Sequence, residues 1–306
     1  MDNLLDGRQI SASINDDTRR QVQQLRNQGI LPRLVFIRVG EDPASRVYVG
    51  MKEKTAAKLG IDSRTIVLDT ATEESLLLEQ IRELNEDPKT HGILVQAPLP
   101  KPIREEVVYG SVSPEKDVDG FHPSNVGKLM LGDRSGFVPC TPGGIHEMLR
   151  RSGRAIPGSH AVILGRGNIV GKPMGALLVQ KAEDANCTVT YCHSRTPDIA
   201  DHCRRADILI AALGVPEFVT GDMLKPGAIA IDVGVNRIPD PESPKGSRLV
   251  GDLKFAEVQP LAEKITPNPG GVGPMTIAML MRNTVKAAHS LSGTATNKGS
   301  TQPNPH

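Results

Sequence analysis

Aromatic residues are scarce in this chain, which contains no Trp, three Tyr and five Phe. So few rings argue against the stacking platforms on which proteins bind single-stranded nucleic acid. Basic and acidic residues nearly balance, at 36 and 35, so no excess of charge favours nucleic acid or a membrane surface as a partner. No apolar run approaches the length of a membrane-spanning helix. The composition therefore predicts a protein with no nucleic-acid and no membrane partner.

The four cysteines favour a reducing environment. They form no Cys-x-x-Cys pair, and two of them bracket a strand expected to be buried. Reduced structural thiols are therefore favoured over a disulfide framework or a zinc site, and no metal is expected. Residues 1–7 lack a basic stretch followed by an apolar one, so no export signal is visible and the expected location is the cytoplasm. The cysteines are Cys140, Cys187, Cys192 and Cys203.

A chain of 306 residues is near the practical limit of one hydrophobic core, so two domains are expected. Strand and helix patterns alternate throughout, which is typical of a parallel α/β protein. We expect residues 1–142 with 275–291 to form one domain and residues 143–274 to form the second. The last predicted helix, 275–291, would pack back on the first domain. Residues 292–306, rich in Ser, Thr, Asn, Gly and Pro, are expected to be a disordered tail.

Both domains are predicted around parallel strands joined by helices. The first clearly marked helix has Asp42 as its cap, Pro43 in its first turn and Gly60 as its stop. The expected elements are strands 34–39, 65–68 and 92–95 with helices 43–59 and 73–84 in the first domain, and a helix at 145–152 followed by strands 161–164, 187–192, 207–211 and 228–232 in the second.

A glycine-rich turn follows the strand Ala161–Leu164. Gly165, Gly167 and Gly171 are spaced Gly-x-Gly-x-x-x-Gly, and Pro173 marks the start of a helix. A strand that turns this tightly presents the free N–H groups of a helix N-terminus to the pyrophosphate of a dinucleotide. The spacing is one residue longer than the commonest fingerprint, so the turn alone is a moderate signal.

The next strand, 187–192, predicts which dinucleotide binds. NAD sites usually carry an acidic residue at the end of this strand, to bind the ribose 2′-hydroxyl. Here Ser194 and Arg195 follow the strand instead, without a carboxylate. Arg195, with help from Arg166, suits a 2′-phosphate, which an acid would repel. We therefore expect NADP.

A second group of polar residues lies in the first domain. Tyr48 and Lys52 are four residues apart on the predicted helix 43–59 and so share one of its faces. The alternative is a solvated basic helix, because Lys54 and Lys58 are close by.

Two further segments strengthen the prediction of a site in this domain. Gln96 follows a strand that looks buried, at the edge where open α/β sheets bind ligands. Asp117 and Asp119 lie in a proline-framed turn, although Asp-Gly turns are also common on any surface.

The connection 266–276 holds three glycines and three prolines. Such a loop lets the backbone approach a planar ligand closely while it stays rigid. It could equally be a stiff hinge between domains.

Together these residues resemble the bifunctional methylenetetrahydrofolate dehydrogenase/methenyltetrahydrofolate cyclohydrolases of the FolD type. The resemblance extends from about Leu5 to Leu291, nearly the whole chain. Each motif alone is weak or moderate, but their ordered combination is specific. The motifs are Asp42–Ser45 continuing through Tyr48-x-x-x-Lys52, Val95–Pro100, Pro114–Gly120, the glycine turn and Pro269–Thr276.

The resemblance implies a folate-site domain, a Rossmann domain that binds NADP, an active site in the cleft between them, and a homodimer formed through the Rossmann domain. It makes Lys52 the central catalytic group and Tyr48 its neighbour, with Gln96 hydrogen-bonded to the lysine and Asp119 anchoring the pterin. Catalytic residues would be Lys52, Tyr48, Gln96 and Asp119. Cofactor-binding residues would be Gly165, Arg166, Gly167, Ser194, Arg195 and Val235. Substrate-binding residues would be Tyr48, Lys52, Val95, Gln96, Ala97, Asp119, Pro269, Gly270, Gly271, Val272 and Gly273.

The resemblance also implies a reaction: NADP-dependent oxidation of 5,10-methylenetetrahydrofolate to the methenyl form, then hydrolysis to 10-formyltetrahydrofolate. Such an enzyme serves one-carbon metabolism and so purine, histidine and methionine biosynthesis. One departure is visible, because the family usually has Gly-Arg-Ser where this chain has Gly165-Arg166-Gly167. The missing hydroxyl removes a possible phosphate hydrogen bond worth ~1 kcal/mol, so the preference for NADP is expected to be weaker than in relatives.

Three other functions stay open on the sequence. One is an enzyme that has kept only one of the two activities. Another is a two-domain dehydrogenase of the shikimate type, which also combines a small α/β domain with a Rossmann domain and acts on a hydroxy acid. The third is a non-catalytic module that senses NADPH, although every polar residue assigned to the chemistry is present.

Overall fold

The computed structural model describes residues 3–243 and 246–298. These residues divide into two compact units, each built on its own parallel sheet. The three-stranded unit comprises residues 13–126 and 135–137 and the chain from Leu280 onward. The five-stranded unit comprises the chain up to Ala12 together with residues 127–134 and 138–279.

The three-stranded unit alternates strands and helices along the chain. Its sheet has the order β2-β1-β3, and all its strands are parallel. The elements are most of α1 (Gly7–Asn27), then β1 (Arg33–Val39), α2 (Pro43–Leu59), β2 (Asp62–Leu68), α3 (Glu74–Glu86), β3 (Gly92–Val95) and α4 (Glu105–Ser111).

Helix α2 begins and ends where local chemistry requires it. The side chain of Asp42 accepts a hydrogen bond from the backbone N–H of Ser45 at 2.7 Å, which satisfies one free donor of the first turn. Pro43 occupies the first turn, where its missing N–H costs nothing. Gly60 ends the helix with φ of 79°, a left-handed conformation that disfavours a side chain. These ends coincide with those predicted from the sequence.

One apolar core holds the sheet of this unit together. β1 is buried on both faces, and Val35 and Ile37 pack with Leu77 and Ile81 of α3. Because β1 is the middle strand, it carries a continuous apolar run instead of an alternating pattern. The rigid sheet fixes the carboxyl end of β3, after which Gln96 lies.

The five-stranded unit has a parallel sheet of order β10-β7-β6-β4-β5. The middle strands are buried, whereas β5 at the edge is largely half-exposed. In chain order the remaining elements are α5 (Pro123–Leu131), α6 (Cys140–Arg150), β4 (His160–Leu164), α7 (Gly171–Leu178), β5 (Thr188–Cys192), α8 (Ile199–Arg204), β6 (Ile208–Ala211), a 3₁₀ turn (Gly221–Met223), β7 (Ile229–Asp232), the antiparallel pair β8 (Asn236–Pro239) and β9 (Ser247–Val250), α9 (Phe255–Val258), β10 (Lys264–Ile265) and α10 (Val272–Lys298).

Helix α1 and the pair β8 and β9 are among the elements that were not predicted from the sequence. Helix α1 buries Ile14, Thr18, Val22 and Leu25 at helical spacing, but most of its other residues are polar. The short pair β8 and β9 has no apolar alternation to mark it. Residues 299–306 of the predicted tail lie outside the described residues.

Over the residues that the structure describes, none of the helices combines the length and the apolar character needed to cross a membrane.

Candidate active site

Lys52 lies in the buried stripe of α2. The buried positions of this helix recur at intervals of three and four residues, and Lys52 is the one charged residue among them. Its exposed fraction is 8%. Lys54 and Lys58, by contrast, are exposed. The alternative of a solvated basic helix is therefore wrong for Lys52. The buried residues are Ser45, Val49, Lys52, Ala56 and Leu59.

The ammonium group of Lys52 meets the side chain that follows β3. Its Nζ donates to Oε1 of Gln96 at 2.9 Å. The Nε2 of Gln96 donates in turn to the carbonyl oxygen of Ala97 at 2.7 Å, and the hydroxyl of Ser45 donates to the same carbonyl at 3.3 Å. This chain of hydrogen bonds joins the buried face of α2 to the carboxyl end of β3.

Tyr48 lies one turn before Lys52 on α2, and 37% of it is exposed. Val95 is buried at the end of β3, whereas Gln96 and Ala97 are partly exposed. A half-exposed ring and a partly exposed amide thus flank a buried amine. Such a group of residues can bind a flat ligand and transfer protons to it.

The two aspartates of the turn 114–120 have different environments. Asp117 is buried, and its carboxylate accepts N–H groups of Phe121 and His122 and the side-chain amide of Asn125. Burial raises the pKa of Asp117, and these hydrogen bonds oppose the rise. Asp119 is only partly buried. Asp117 therefore organises the turn, and Asp119 is the carboxylate that a ligand can reach.

The last helix contacts this turn within the three-stranded unit. The side-chain amide of Asn283 in α10 donates to the carbonyl oxygen of Val118 at 2.9 Å. Lys286, one turn further on, donates to the carbonyl of Gly136 and lies over the ring of Phe137. The sequence predicted that this helix packs back on the first domain. The contacts of Asn283 and Lys286 agree with that prediction.

The glycine turn of the five-stranded unit is required by close backbone contacts. Gly165 has φ of 111°, and a Cβ there would lie 2.3 Å from the carbonyl oxygen of Ala212. A Cβ on Gly171 would lie 2.3 Å from the carbonyl oxygen of Gly165. Gly167 differs, because a Cβ there would meet no atom within 4 Å. Two of the three glycines therefore shape the turn, and the third leaves open space.

Arg166 lies in this turn, and Ser194 and Arg195 follow the end of β5, where no acidic residue is adjacent to the strand. Ser194 and Arg195 are exposed at the tip of a turn closed by a hydrogen bond from the N–H of His193 to the hydroxyl of Thr196. Arg166 is exposed in the glycine turn. No described residue pairs with either guanidinium. Two free guanidinium groups and a hydroxyl fit a ribose 2′-phosphate.

The other predicted site residues of this unit lie at its remaining loops. Val235 follows β7 and is 53% exposed. Of the segment Pro269–Gly273, the first three residues lead into α10 and the last two form its first turn. Gly271 packs so closely on Gly7 that a Cβ on Gly7 would lie 1.8 Å from the carbonyl oxygen of Gly271. The absence of a side chain on Gly7 therefore allows the start of α1 to pack on this loop.

Two buried aspartates in the same unit were not predicted. Asp232 at the end of β7 and Asp252 after β9 are 3% and 0% exposed, and the backbone N–H of Asp252 donates to Oδ1 of Asp232 at 2.8 Å. Sequence spacing holds no signal for them, since twenty positions separate the two residues. Gly251 directly precedes Asp252, whereas the nearest glycine to Asp232 is Gly234, two positions further on.

The fold and these residues define a class: a two-domain α/β dehydrogenase with a nucleotide-binding sheet and a separate site around a buried lysine. Two family models match, the tetrahydrofolate dehydrogenase/cyclohydrolase catalytic domain over residues 5–119 and the NAD(P)-binding domain of the same family over residues 139–292. The chain belongs to the tetrahydrofolate dehydrogenase/cyclohydrolase family.

Individual relatives agree with the family models. A protein of Chlorobium limicola named bifunctional protein FolD is 52% identical over 287 residues, which cover 93% of this chain and 97% of that protein. A crystal structure of FolD from Campylobacter jejuni has a TM-score of 0.89 at 44% identity and covers 94% of this chain and 98% of its own. The FolD structure from Trypanosoma brucei, complexed with NADP cofactor and an inhibitor, has a TM-score of 0.87 at 40% identity and covers 93% and 96%.

The predicted α/β fold with a folate-site domain and an NADP-binding Rossmann domain is thereby confirmed. The predicted class of enzyme is confirmed as well, an oxidoreductase and hydrolase of tetrahydrofolate one-carbon metabolism. Membership of this family rules out the shikimate-type alternative. The roles of the individual residues and the exact domain boundaries stay predictions.

Proposed function

We propose that this chain oxidises 5,10-methylenetetrahydrofolate with NADP⁺ and then hydrolyses the methenyl product to 10-formyltetrahydrofolate, with Lys52 as the central catalytic group. The observation that carries the assignment of Lys52 is its buried amine, hydrogen-bonded to Gln96 at 2.9 Å. An apolar helix stripe does not hold a lysine for stability, because burying the amine costs free energy that hydrogen bonds only partly offset.

In the first step, the methylene carbon loses a hydride and becomes the methenyl cation. NADP⁺, when bound, accepts that hydride. The folate nitrogens supply the electron pair that stabilises the cation, so the protein mainly holds the substrate in place. Asp119 accepts paired N–H donors from the amino-pyrimidine edge of the pterin, as a carboxylate can do with both oxygens. Tyr48 packs its half-exposed ring against the ligand.

In the second step, water adds to the methenyl carbon, one proton is lost, and the ring opens as a carbon–nitrogen bond breaks. Lys52 takes up the proton in its neutral form, which burial and the cationic substrate both favour. Gln96 keeps the nitrogen in place without adding charge. Tyr48 positions or relays a proton from the same helix face.

NADP is bound by the five-stranded unit in this proposal. The N-terminus of α7 and the turn at Gly165 would hold the pyrophosphate, and Arg195, Ser194 and Arg166 would bind the 2′-phosphate. The backbone contacts of Gly165 and the unpaired guanidinium groups support this assignment. We assign residues 143–274 to the NADP-binding domain, and residues 1–142 with 275–291 to the folate-binding domain.

The chain acts as a homodimer in the cytoplasm in this proposal. β5 is an edge strand with a strand neighbour on one side only among the described residues, and such an edge can pair with a second copy. All four cysteines are free and buried, as is usual in a reducing compartment. Sedimentation equilibrium of the purified protein tests the dimer, and a monomer at micromolar concentration would refute it.

A spectrophotometric assay tests the function. The full chain is given methylenetetrahydrofolate with NADP⁺ or NAD⁺, and reduction of the nicotinamide is followed. Methenyltetrahydrofolate is supplied separately, and the loss of its absorbance reports hydrolysis. We expect both reactions, with faster turnover on NADP⁺. Hydrolysis without cofactor reduction, or the reverse, would show an enzyme that has kept a single activity.

A further inference from the structure

The strand order of the five-stranded sheet determines where each half of the cofactor lies. This inference rests on the proposed NADP site. β4, which ends in the glycine turn, lies between β5 on one side and β6 on the other. The residues for the 2′-phosphate follow β5, so the adenosine half extends to that side. The nicotinamide half must then extend over the carboxyl ends of β6 and β7. The loops there are 212–214 and 233–236, the second of which ends at the first residue of β8.

Asp252 holds both of these loops. Its Oδ2 accepts the backbone N–H groups of Leu213 at 2.6 Å and Gly214 at 3.0 Å, immediately after β6. Its Oδ1 accepts the side-chain amide of Asn236 at 2.9 Å, after β7. One carboxylate with no exposed surface therefore ties together two loops that follow neighbouring strands.

Asp232 holds Asp252 in turn. Its carboxylate accepts the backbone N–H groups of Asp252 at 2.8 Å, Leu253 at 3.2 Å and Gly234 at 3.2 Å. The backbone N–H of Asp232 donates to the hydroxyl of Thr266 at 2.7 Å. The two aspartates thus form a continuous hydrogen-bonded arrangement from the end of β7 to the loop after β6.

Two glycines, Gly234 and Gly251, leave the space that the two carboxylates occupy. A Cβ on Gly234 would lie 2.1 Å from Oδ1 of Asp252, and a Cβ on Gly251 would lie 1.7 Å from Oδ2 of Asp232. Gly234 directly precedes Val235, the exposed residue predicted to contact the cofactor. Its carbonyl also accepts the side-chain amide of Asn268, which precedes Pro269. A shift of either aspartate would therefore move Val235.

We propose that Asp252, held by Asp232, is a positioning residue for the nicotinamide half of NADP: it sets the loops 212–214 and 233–236 against that half without touching the reacting atoms. Carboxylates suit this task because their oxygens accept several N–H donors at once, and an aliphatic core residue would leave those donors unsatisfied. The adenosine half does not depend on this arrangement, because its residues follow β4 and β5.

The test exchanges the donor and the acceptor in the hydrogen bond between Asn236 and Asp252. Asn236→Asp places a carboxylate against the carboxylate of Asp252, and we expect NADPH to bind at least about tenfold more weakly. Adding Asp252→Asn restores a donor opposite an acceptor, while its amide oxygen can still accept from Leu213 and Gly214. The double variant should bind NADPH within about threefold of the wild type. NADPH binding is measured on the full chain by the fluorescence of NADPH, and binding of ligands without the nicotinamide by calorimetry.

Two controls make the result specific. Adenosine 2′,5′-bisphosphate, which lacks the nicotinamide half, should bind the wild type and both variants equally. Asn27→Asp adds the same charge at an exposed position of α1 and should change neither affinity. Unchanged NADPH affinity in Asn236→Asp, an equal loss for the bisphosphate, or a double variant no better than the single one would each overturn the positioning role. A wild type that binds neither ligand would instead refute the proposed NADP site.

Discussion

The Nζ of Lys52 lies 2.9 Å from Oε1 of Gln96, and Nε2 of the same side chain donates a hydrogen bond to the carbonyl oxygen of Ala97. The second hydrogen bond fixes which atom of Gln96 faces the lysine, because only the NH₂ group can donate to a carbonyl. An amide oxygen accepts from an ammonium and from a neutral amine alike. Gln96 can therefore orient Lys52 through a full cycle of proton uptake and release.

Replacement of the lysine separates catalysis from cofactor binding. Lys52→Met keeps a long apolar stem in the buried stripe but removes the nitrogen. We expect hydrolysis of methenyltetrahydrofolate to fall by at least about a hundredfold, since general base catalysis typically supplies that much. NADPH should bind as in the wild type. Lys54→Met, an exposed change on the same helix, is the matched control. Full-rate hydrolysis in Lys52→Met would refute the assignment.

Removal of the accessible carboxylate should weaken substrate binding. Asp119→Ala takes away a charge-assisted acceptor, and we expect the KM for methylenetetrahydrofolate to rise about tenfold or more. Glu115→Ala changes an exposed acid of the same turn and should leave the KM unchanged. An unaltered KM in Asp119→Ala would count against anchoring of the pterin.

The neighbouring Asp117 provides the contrast for that experiment. Its loss leaves the backbone N–H of His122 and one of the two amide hydrogens of Asn125 without an acceptor, so Asp117→Ala should lower the free energy of unfolding by ~1–3 kcal/mol. Urea unfolding measures this, and Asp119→Ala should be nearly as stable as the wild type.

Cofactor preference should respond to the charge after β5. Arg195→Asp replaces a guanidinium with a carboxylate, which repels a 2′-phosphate and can accept a ribose hydroxyl. The ratio of kcat/KM for NADP⁺ to that for NAD⁺ should fall by more than about tenfold. Arg205→Asp makes the same change at another exposed position. If the ratio stays constant, the phosphate is bound elsewhere, and Arg166 is the first residue to examine.

Gly167 can be given back the hydroxyl that relatives usually have. Since a Cβ there would meet no atom within 4 Å, serine fits without rearrangement. One added hydrogen bond of ~1 kcal/mol corresponds to a Kd for NADPH about fivefold lower in Gly167→Ser. Gly167→Ala fills the same space without a donor and should not improve binding. An equal gain from both variants would point to backbone stiffening instead.

The thiols should be unreactive while the protein is folded. Burial raises the pKa of Cys187 to about 11 and that of Cys203 to about 12, so neither forms a thiolate near neutral pH. Ellman's reagent at pH 8 should therefore label none of the four cysteines in the native enzyme and all of them in guanidinium. Rapid labelling of the native enzyme would contradict this burial.

Local signals made several elements predictable. Asp42, Pro43 and Gly60 set the ends of α2 through capping that involves only nearby residues, so its limits could be predicted to the residue. The apolar run of β1 and the glycines after β4 are likewise local. Helix α1 was not predicted, because Thr18 and polar neighbours interrupt its narrow apolar stripe. Strands β8 and β9 were not predicted, because their pairing depends on contacts across the strands, which sequence periodicity does not record.

The sequence alone determined the alternation of strands and helices, the glycine turn, the basic instead of acidic residue after β5, and the order of the motifs. Each of these depends on neighbours along the chain. Only the tertiary structure decided that Lys52 is buried against Gln96, that Asp117 organises its turn while Asp119 is left accessible, and that Asp232 and Asp252 meet. These outcomes depend on which distant segments share a sheet edge. The free energy of a buried polar group is set by partners that only the folded chain brings within hydrogen-bond distance.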